Sequence, residues 1–291
     1  MAARRAITLT NRISKLAAIG QPFDALDDPD LQSGYMARAL VQTTLPHSDP
    51  GASYFERRNG TVNLSITGRP TIGLPYGKDP RLILAWICTE AVRTKNPVLN
   101  LGRSMSDFAR KLQLNPRDTR VIKPLRNQAE RLFSSLISIE YTGNDEYRLA
   151  NIVIAKNAFL FWDARDPDKQ SLWASELTLN SDFYAEITRA PVPVRLDHLR
   201  ALAKSPMEMD IYTWLTYRIH RTALTGQPVT IPWQSLRAQF GAGYSDTTNF
   251  KKFFSQRLRS ALLLLPNLRP YVTESRTGLQ IKPPPKSLIR E

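Results

Sequence analysis

The sequence predicts an α+β chain of two tandem units, each made of three helices that close on a β-hairpin. Three observations predict it. A length of 291 residues suits two domains of ordinary size. Helix and hairpin signals recur in one order in both halves. Between the halves, Pro191 and Pro193 mark a stiff, extended linker. The expected divisions are an N-terminal basic helix and linker at 1–37, a first unit at 38–190 and a second at 191–291.

Residues 1–20 read as a short basic amphipathic helix. Residues 21–50 read as mostly loop, with an acidic cluster of Asp24, Asp27, Asp28 and Asp30 and a helix near Met36. Alternation through 53–67 around Arg58-Asn59-Gly60 is a hairpin signal, because Asn-Gly accepts the positive φ of a tight turn. A helix follows at 79–95, with Asp79 as its cap, Pro80 first and Pro97 beyond its end. Ser104 and Asp107 form a capping box for a helix at 104–113, and a third helix runs over 118–136. A hairpin at 137–149 turns at Gly143-Asn144-Asp145. Strands occupy 151–180 around the loop Arg165-Asp166-Pro167-Asp168, then a short helix spans 181–189.

The second half replays this order. After a short helix near 195–203, a helix at 206–222 opens with Ser205 as cap, Pro206 first and Glu208 completing a capping box. The extended Pro228-Val229-Thr230-Ile231 mirrors Pro97-Val98-Leu99-Asn100. A short helix over 233–240 stops at Gly241-Ala242-Gly243, a long helix spans Ser245 to Leu265, and a hairpin at 270–282 turns at Arg276-Thr277-Gly278. Matching elements begin at 79 and 206, 104 and 233, 118 and 245, and 137 and 270. The near-constant spacing points to duplication of a pattern rather than of residues.

Composition narrows the function. The chain is 42% hydrophobic, enough for packed cores, and carries a formal charge of +14. Such a protein attracts polyanions, nucleic acid first and anionic membrane second. The charge is uneven. Arg103 to Arg131 holds eight bases and three acids, Ser245 to the end nine and three, and Glu140 to Glu186 nine acids and four bases. Two basic regions flanking an acidic one suggest two polyanion-binding faces. The single cysteine, Cys88, can form no internal disulfide, which fits a reducing, cytoplasmic setting. No apolar run approaches the ~18 residues of a membrane span, and no signal-peptide core follows Arg4 and Arg5. The N-terminal helix is open to several readings: membrane, DNA or a second subunit as partner, or a tail that frays.

Three helices and a hairpin are the pattern of a winged helix-turn-helix, whose third helix enters the major groove, about 12 Å wide. At 100° per residue, Thr248, Lys252, Ser255 and Arg259 fall within an arc of about 60°, flanked by Lys251 and Gln256. The opposite face carries Phe250, Phe254, Leu258 and Ala261. Lys and Arg suit guanine, Gln suits adenine, and Ser and Thr suit either. Arg269, Arg276 and Lys282 add charge to the following hairpin. In the first unit Arg120, Lys123, Asn127 and Arg131 form a like stripe opposite Val121, Leu125, Ala129, Leu132 and Leu136. Pro124 falls in the first turn or two, where a missing N–H costs little. One such stripe alone would be an ordinary solvated face. Two, each on a third helix before a hairpin, favour DNA contact.

Catalytic patterns are missing. His47, His198 and His220 form no metal-binding pair. Gly73-Leu74-Pro75-Tyr76-Gly77-Lys78-Asp79 is one residue short of a phosphate loop and has Asp79 where a magnesium-holding Ser or Thr belongs, so it reads as a turn. None of the ten tyrosines sits beside a cation site, and Asp166 and Asp168 read as loop residues. The expectation is a binding protein, not an enzyme, with no cofactor and no metal.

Several blocks resemble one family. Pro75-Tyr76-Gly77, PRLILAWICTEAVRTK, LGRSMSDFARKLQL, LRNQAERLFSS and SPMEMDIYTWLTYRIHR, with Ser205, Asp210, Tyr212, Trp214, Leu215 and Arg218, are similar to plasmid-encoded RepA-type replication initiators over roughly 38 to 285. The resemblance implies tandem winged-helix domains that bind repeated double-stranded sites at a plasmid origin. It also implies melting of adjacent DNA, recruitment of the host initiator and replicative helicase, autorepression, and a dimer that dissociates to the active monomer. Asn115-Pro116-Arg117-Asp118 stands where family members often carry a Gly-Gly pair. A transcriptional repressor without an initiation role is the alternative.

Overall fold

The structure, a computed structural model, describes residues 2–19, 33–60, 62–142, 147–163, 165–241 and 246–288. The acidic cluster at 24–30 and the turns expected at 143–145 and 242–243 lie outside them. The chain forms two compact units, one of residues 34–192 and one of residues 1–33 with 193–291. The N-terminal segment, expected to stand apart, therefore belongs to the unit built by the C-terminal third. Pro191 and Pro193 lie in a strand, β9 (Pro191–Arg195), rather than in a bare linker.

In the 34–192 unit, β1 (Ser33–Ala37) leads into the short α2 (Arg38–Gln42), so Met36 is in a strand. The expected hairpin is β2 (Tyr54–Asn59) and β3 (Val62–Thr67). Next come α3 (Lys78–Thr94), β4 (Val98–Gly102), α4 (Met105–Lys111) and α5 (Thr119–Phe133). They are followed by β5 (Leu136–Thr142), β6 (Tyr147–Val153), β7 (Ala155–Phe159), β8 (Ser175–Leu179) and α6 (Ser181–Arg189). Strands β2, β3, β5 and β6 make one antiparallel sheet. Its alternation turns Leu64, Ile66, Ile137 and Ile139 inward, and cross-strand pairs Leu64–Ile139 and Ile66–Ile137 seal that face.

Helix α3 is the hub. Its run Leu82–Cys88 is buried all round, so it is apolar without periodicity. It begins at Lys78, with Gly77 as N-cap and no side-chain cap; Asp79, expected as the cap, is buried and pairs with Lys78 at 3.0 Å. Arg81 is buried as well, which its donors permit: they reach the carbonyls of Pro46, Gly77 and Leu45 at 3.2, 2.6 and 2.8 Å. The helix ends at Lys95, whose φ of 53° is left-handed, before Pro97. The capping box of α4 forms as expected, with both Ser104 and Asp107 bonded to backbone N–H groups. Asp118 caps α5. Pro124 lies past the first turn of α5, so the helix forgoes one ladder bond there.

In the other unit, α1 (Ala2–Ile19) joins α7 (Leu196–Ala201), α8 (Pro206–Thr225), β10 (Val229–Pro232), α9 (Trp233–Phe240) and α10 (Thr247–Leu263). It closes with β11 (Val272–Glu274) and β12 (Gly278–Ile281). An aromatic cluster holds α10 down: Phe254 meets Trp233, Phe240 and Phe250 at ring distances of 5.9, 5.6 and 5.4 Å. Tyr212 and His198 are buried together, with the Tyr212 hydroxyl 3.1 Å from His198 Nδ1. Burial pushes the His198 ring down to about 4.

The duplicated pattern diverges in its pairing. In the C-terminal unit, β10 between the first two helices of the pattern joins the hairpin, in strand order β10-β12-β11. In the other unit the hairpin β5-β6 joins β3, and β4 pairs with β8 instead.

Candidate nucleic-acid interface

Helix α10 is seated by its apolar side, with Phe250, Phe254, Leu258 and Ala261 buried. Asp246 caps its start, accepting from Asn249 N–H at 2.8 Å; Ser245, the expected first residue, is outside the described residues. The other side stands in solvent. Thr248, Lys252, Gln256 and Arg259 are exposed, as are Arg276 and Lys282 around the hairpin. The hairpin is tied to this helix layer by Trp233, whose indole N–H donates to the Ser275 carbonyl at 3.0 Å.

Two expected members of the stripe are placed otherwise. Ser255 is buried and donates its hydroxyl to the Glu274 carboxylate of β11. Its flank of the helix is the one against which the hairpin packs, so it ties helix to hairpin instead of standing in solvent. Lys251 is half-buried; its ammonium lies 4.7 Å from the Trp233 ring centre and reaches the Ser275 carbonyl at 3.4 Å.

In the 34–192 unit, α5 exposes Arg120, Lys123 and Asn127. Arg120 clasps Asp118 with two bonds of 3.0 and 2.9 Å. These bonds hold the Asp118 carboxyl below its ordinary range and raise the guanidinium. An exposed pair of this kind is worth little. Arg131 departs from the expected stripe. It donates to the Leu74 carbonyl at 3.1 Å, sits 3.4 Å from an Asp49 oxygen and lies 5.1 Å from the Tyr76 ring centre. It clips the turn at 73–76 in place. Gly73 leaves it room, since a Cβ there would come within 2.8 Å of the guanidinium. Gln128, beside it, accepts from Tyr76 N–H at 2.8 Å.

Arg257 falls outside the stripe expected from the helical angles. It lies on the border of the exposed face of α10 opposite Ser255, and only its position 200° around the helix from Ser255 was available to signal it. Among the described residues, no group of three or more His, Cys, Asp or Glu could hold a metal. No described helix is long and apolar enough to cross a membrane.

These features define a mixed helix-and-sheet protein with two cationic helices, each anchored by an apolar face. The model of the plasmid encoded RepA protein family matches residues 74–234, more than half of the chain. The chain belongs to that family of plasmid replication initiators. The matched segment includes α5 and ends before α10. Among solved structures, the chain is similar to a crystal structure of RctB domains 2-3, at 11% identity and a TM-score of 0.47, covering 82% of this chain and 85% of that one. A selenomethionine derivative of domains 2 and 3 of RctB is similar at 11% identity and 0.47, covering 81% and 84%. No curated protein matches the chain.

Proposed function

We propose that this protein initiates plasmid replication by binding repeated double-stranded sites at the origin, with two winged-helix units as readers. In this reading α10 enters the major groove, Lys252, Gln256 and Arg259 face base edges and phosphates, and Thr248 borders them. Arg276 and Lys282 meet the backbone from the hairpin. Arg120, Lys123 and Asn127 of α5 serve the other unit in the same way. The observation that carries the reading is the division of α10: one side is fixed in an aromatic cluster, and the other is cationic, polar and exposed beside a hairpin. The strand order β10-β12-β11, with the hairpin joined to the strand before α9, supports a winged helix in the C-terminal unit.

Opening of adjacent DNA, recruitment of the host initiator and helicase, repression of its own gene, and a monomer–dimer equilibrium extend the reading. So does its role as a cytoplasmic binding protein rather than a nicking enzyme. Supercoiled origin DNA incubated with the protein and magnesium should stay uncut. The deciding experiment compares gel shifts on the repeats beside the gene with shifts on random DNA at moderate salt. Tighter binding to the repeats is expected; equal affinity would remove specific reading. A minimal plasmid carrying this gene and the repeats should replicate in a suitable host, and failure there with intact repeat binding would leave a repressor.

A further inference from the structure

Glu208 is the third residue of α8, where a carboxylate ordinarily returns a bond to the N-cap backbone and completes a capping box. Only half of that box forms. Ser205 accepts from Glu208 N–H at 3.4 Å, while the Glu208 carboxylate, fully buried, turns to the guanidinium of Arg12 on α1. That contact uses Oε2. The other oxygen, Oε1, accepts no hydrogen bond among the described residues. It faces Nη1 of Arg257 on α10 at 3.8 Å. Leu16, one turn beyond Arg12, is buried, and α1 packs on α7 and α10. One buried anion thus lies between cations from two helices, hydrogen-bonded to one and in a looser ion pair, without a hydrogen bond, with the other.

The position of Arg257 gives this cluster its interest. On α10 it stands one turn after Phe253, which is 39% exposed, and its own side chain is 31% exposed. The exposed stripe is bordered on one side by Ser255 and the hairpin, and on the other by Arg257 and α1.

We propose that Arg257 is a further DNA-contacting residue, left available for a phosphate because Arg12 of α1 neutralises Glu208. Arg12 is then a positioning residue, and the N-terminal helix governs DNA affinity without meeting the duplex. The inference rests on the reading of α10 as the DNA-facing helix. Its physics is competition for one carboxylate. A buried carboxylate stripped of its partner is strongly unfavourable and recruits the nearest cation. With Arg12 docked on Oε2, the anion's charge is neutralised, and Arg257 stays 3.8 Å from Oε1 as an ion pair without a hydrogen bond, so its donors remain open to a phosphate. With Arg12 gone, Arg257 closes the 3.8 Å gap and is withdrawn from the stripe's border.

The test uses the full chain and a random-sequence duplex, measuring affinity across a salt series. Arg257→Ala should reduce the log–log salt slope by about 0.9, one phosphate contact. Arg12→Ala should reduce it equally, and adding Arg257→Ala to it should change nothing more. Arg12→Ala with Glu208→Gln should restore the wild-type slope, because no anion remains to capture Arg257. Arg12→Lys, which keeps the charge and protects the fold if the alanine variant unfolds, should hold the wild-type slope. An unchanged slope in Arg257→Ala overturns the contact. A slope still reduced in the Arg12→Ala, Glu208→Gln pair overturns the positioning role and makes α1 itself the contact. Wild-type protein with no salt-dependent binding to any duplex would instead remove the DNA-binding reading.

Discussion

Replacing Lys252 and Arg259 together by alanine probes the proposed interface most directly. Both lie on the exposed stripe of α10, so their loss opens no cavity and strands no buried partner. The buried residues that seat the helix, Phe250, Phe254, Leu258 and Ala261, are untouched. If each cation meets one phosphate, the double variant releases two fewer counterions, and the log–log salt slope becomes shallower by about 1.8. Between 50 and 200 mM salt the wild type should then lose about 12-fold more affinity than the variant. The comparison needs only the difference in slope, so contacts from the other unit cancel. Fluorescence anisotropy on a labelled duplex reads it, with circular dichroism to show that the fold is retained. A slope equal to the wild type's would mean that this face of α10 never meets the DNA backbone.

Other expectations address the scaffold. Gly278 pairs with Pro232 so closely that an added Cβ would come within 2.1 Å of the Ile231 carbonyl oxygen, and backbone cannot yield as a side chain can. Gly278→Ala should cost about 1–3 kcal/mol in a urea titration, and an unchanged midpoint would contradict the pairing. His198 has its folded value pushed down to about 4 from 6.5, first by burial, so the unfolded chain binds the proton more readily. Stability should therefore fall as pH drops through the window between these values, and His198→Gln should flatten that fall. Burial pushes the Cys88 thiol up to about 12. Iodoacetamide at mildly alkaline pH should leave native protein unlabelled and modify it only in denaturant.

Much of the fold could be read along the chain because the forces that set it are local. Ser104 and Asp107 announced a helix start through groups three residues apart, and the structure makes both bonds. The period of Phe250, Phe254, Leu258 and Ala261 assigned the buried side of α10 without any tertiary knowledge. Asp79, by contrast, carried the same kind of cap signal yet is buried against Lys78, since Gly77 and the packing around α3 set that helix start. Strand pairing was less legible still. Nothing in Val98–Gly102 distinguishes a partner in the hairpin from one in β8.

By itself the sequence determined which residues share a helix face, where most helices begin, and that two basic stretches flank an acidic one. These follow from backbone geometry and charge, which neighbours in the chain dictate. Only the tertiary structure decided which side chains on a basic face remain in solvent. Ser255 and Arg131 lie at stripe positions yet point into contacts with β11 and the 73–76 turn, while Arg257 borders the open face. A helical angle specifies a direction around one axis, but what waits in that direction is supplied by residues distant in the chain, such as Glu274, Leu74 and Glu208.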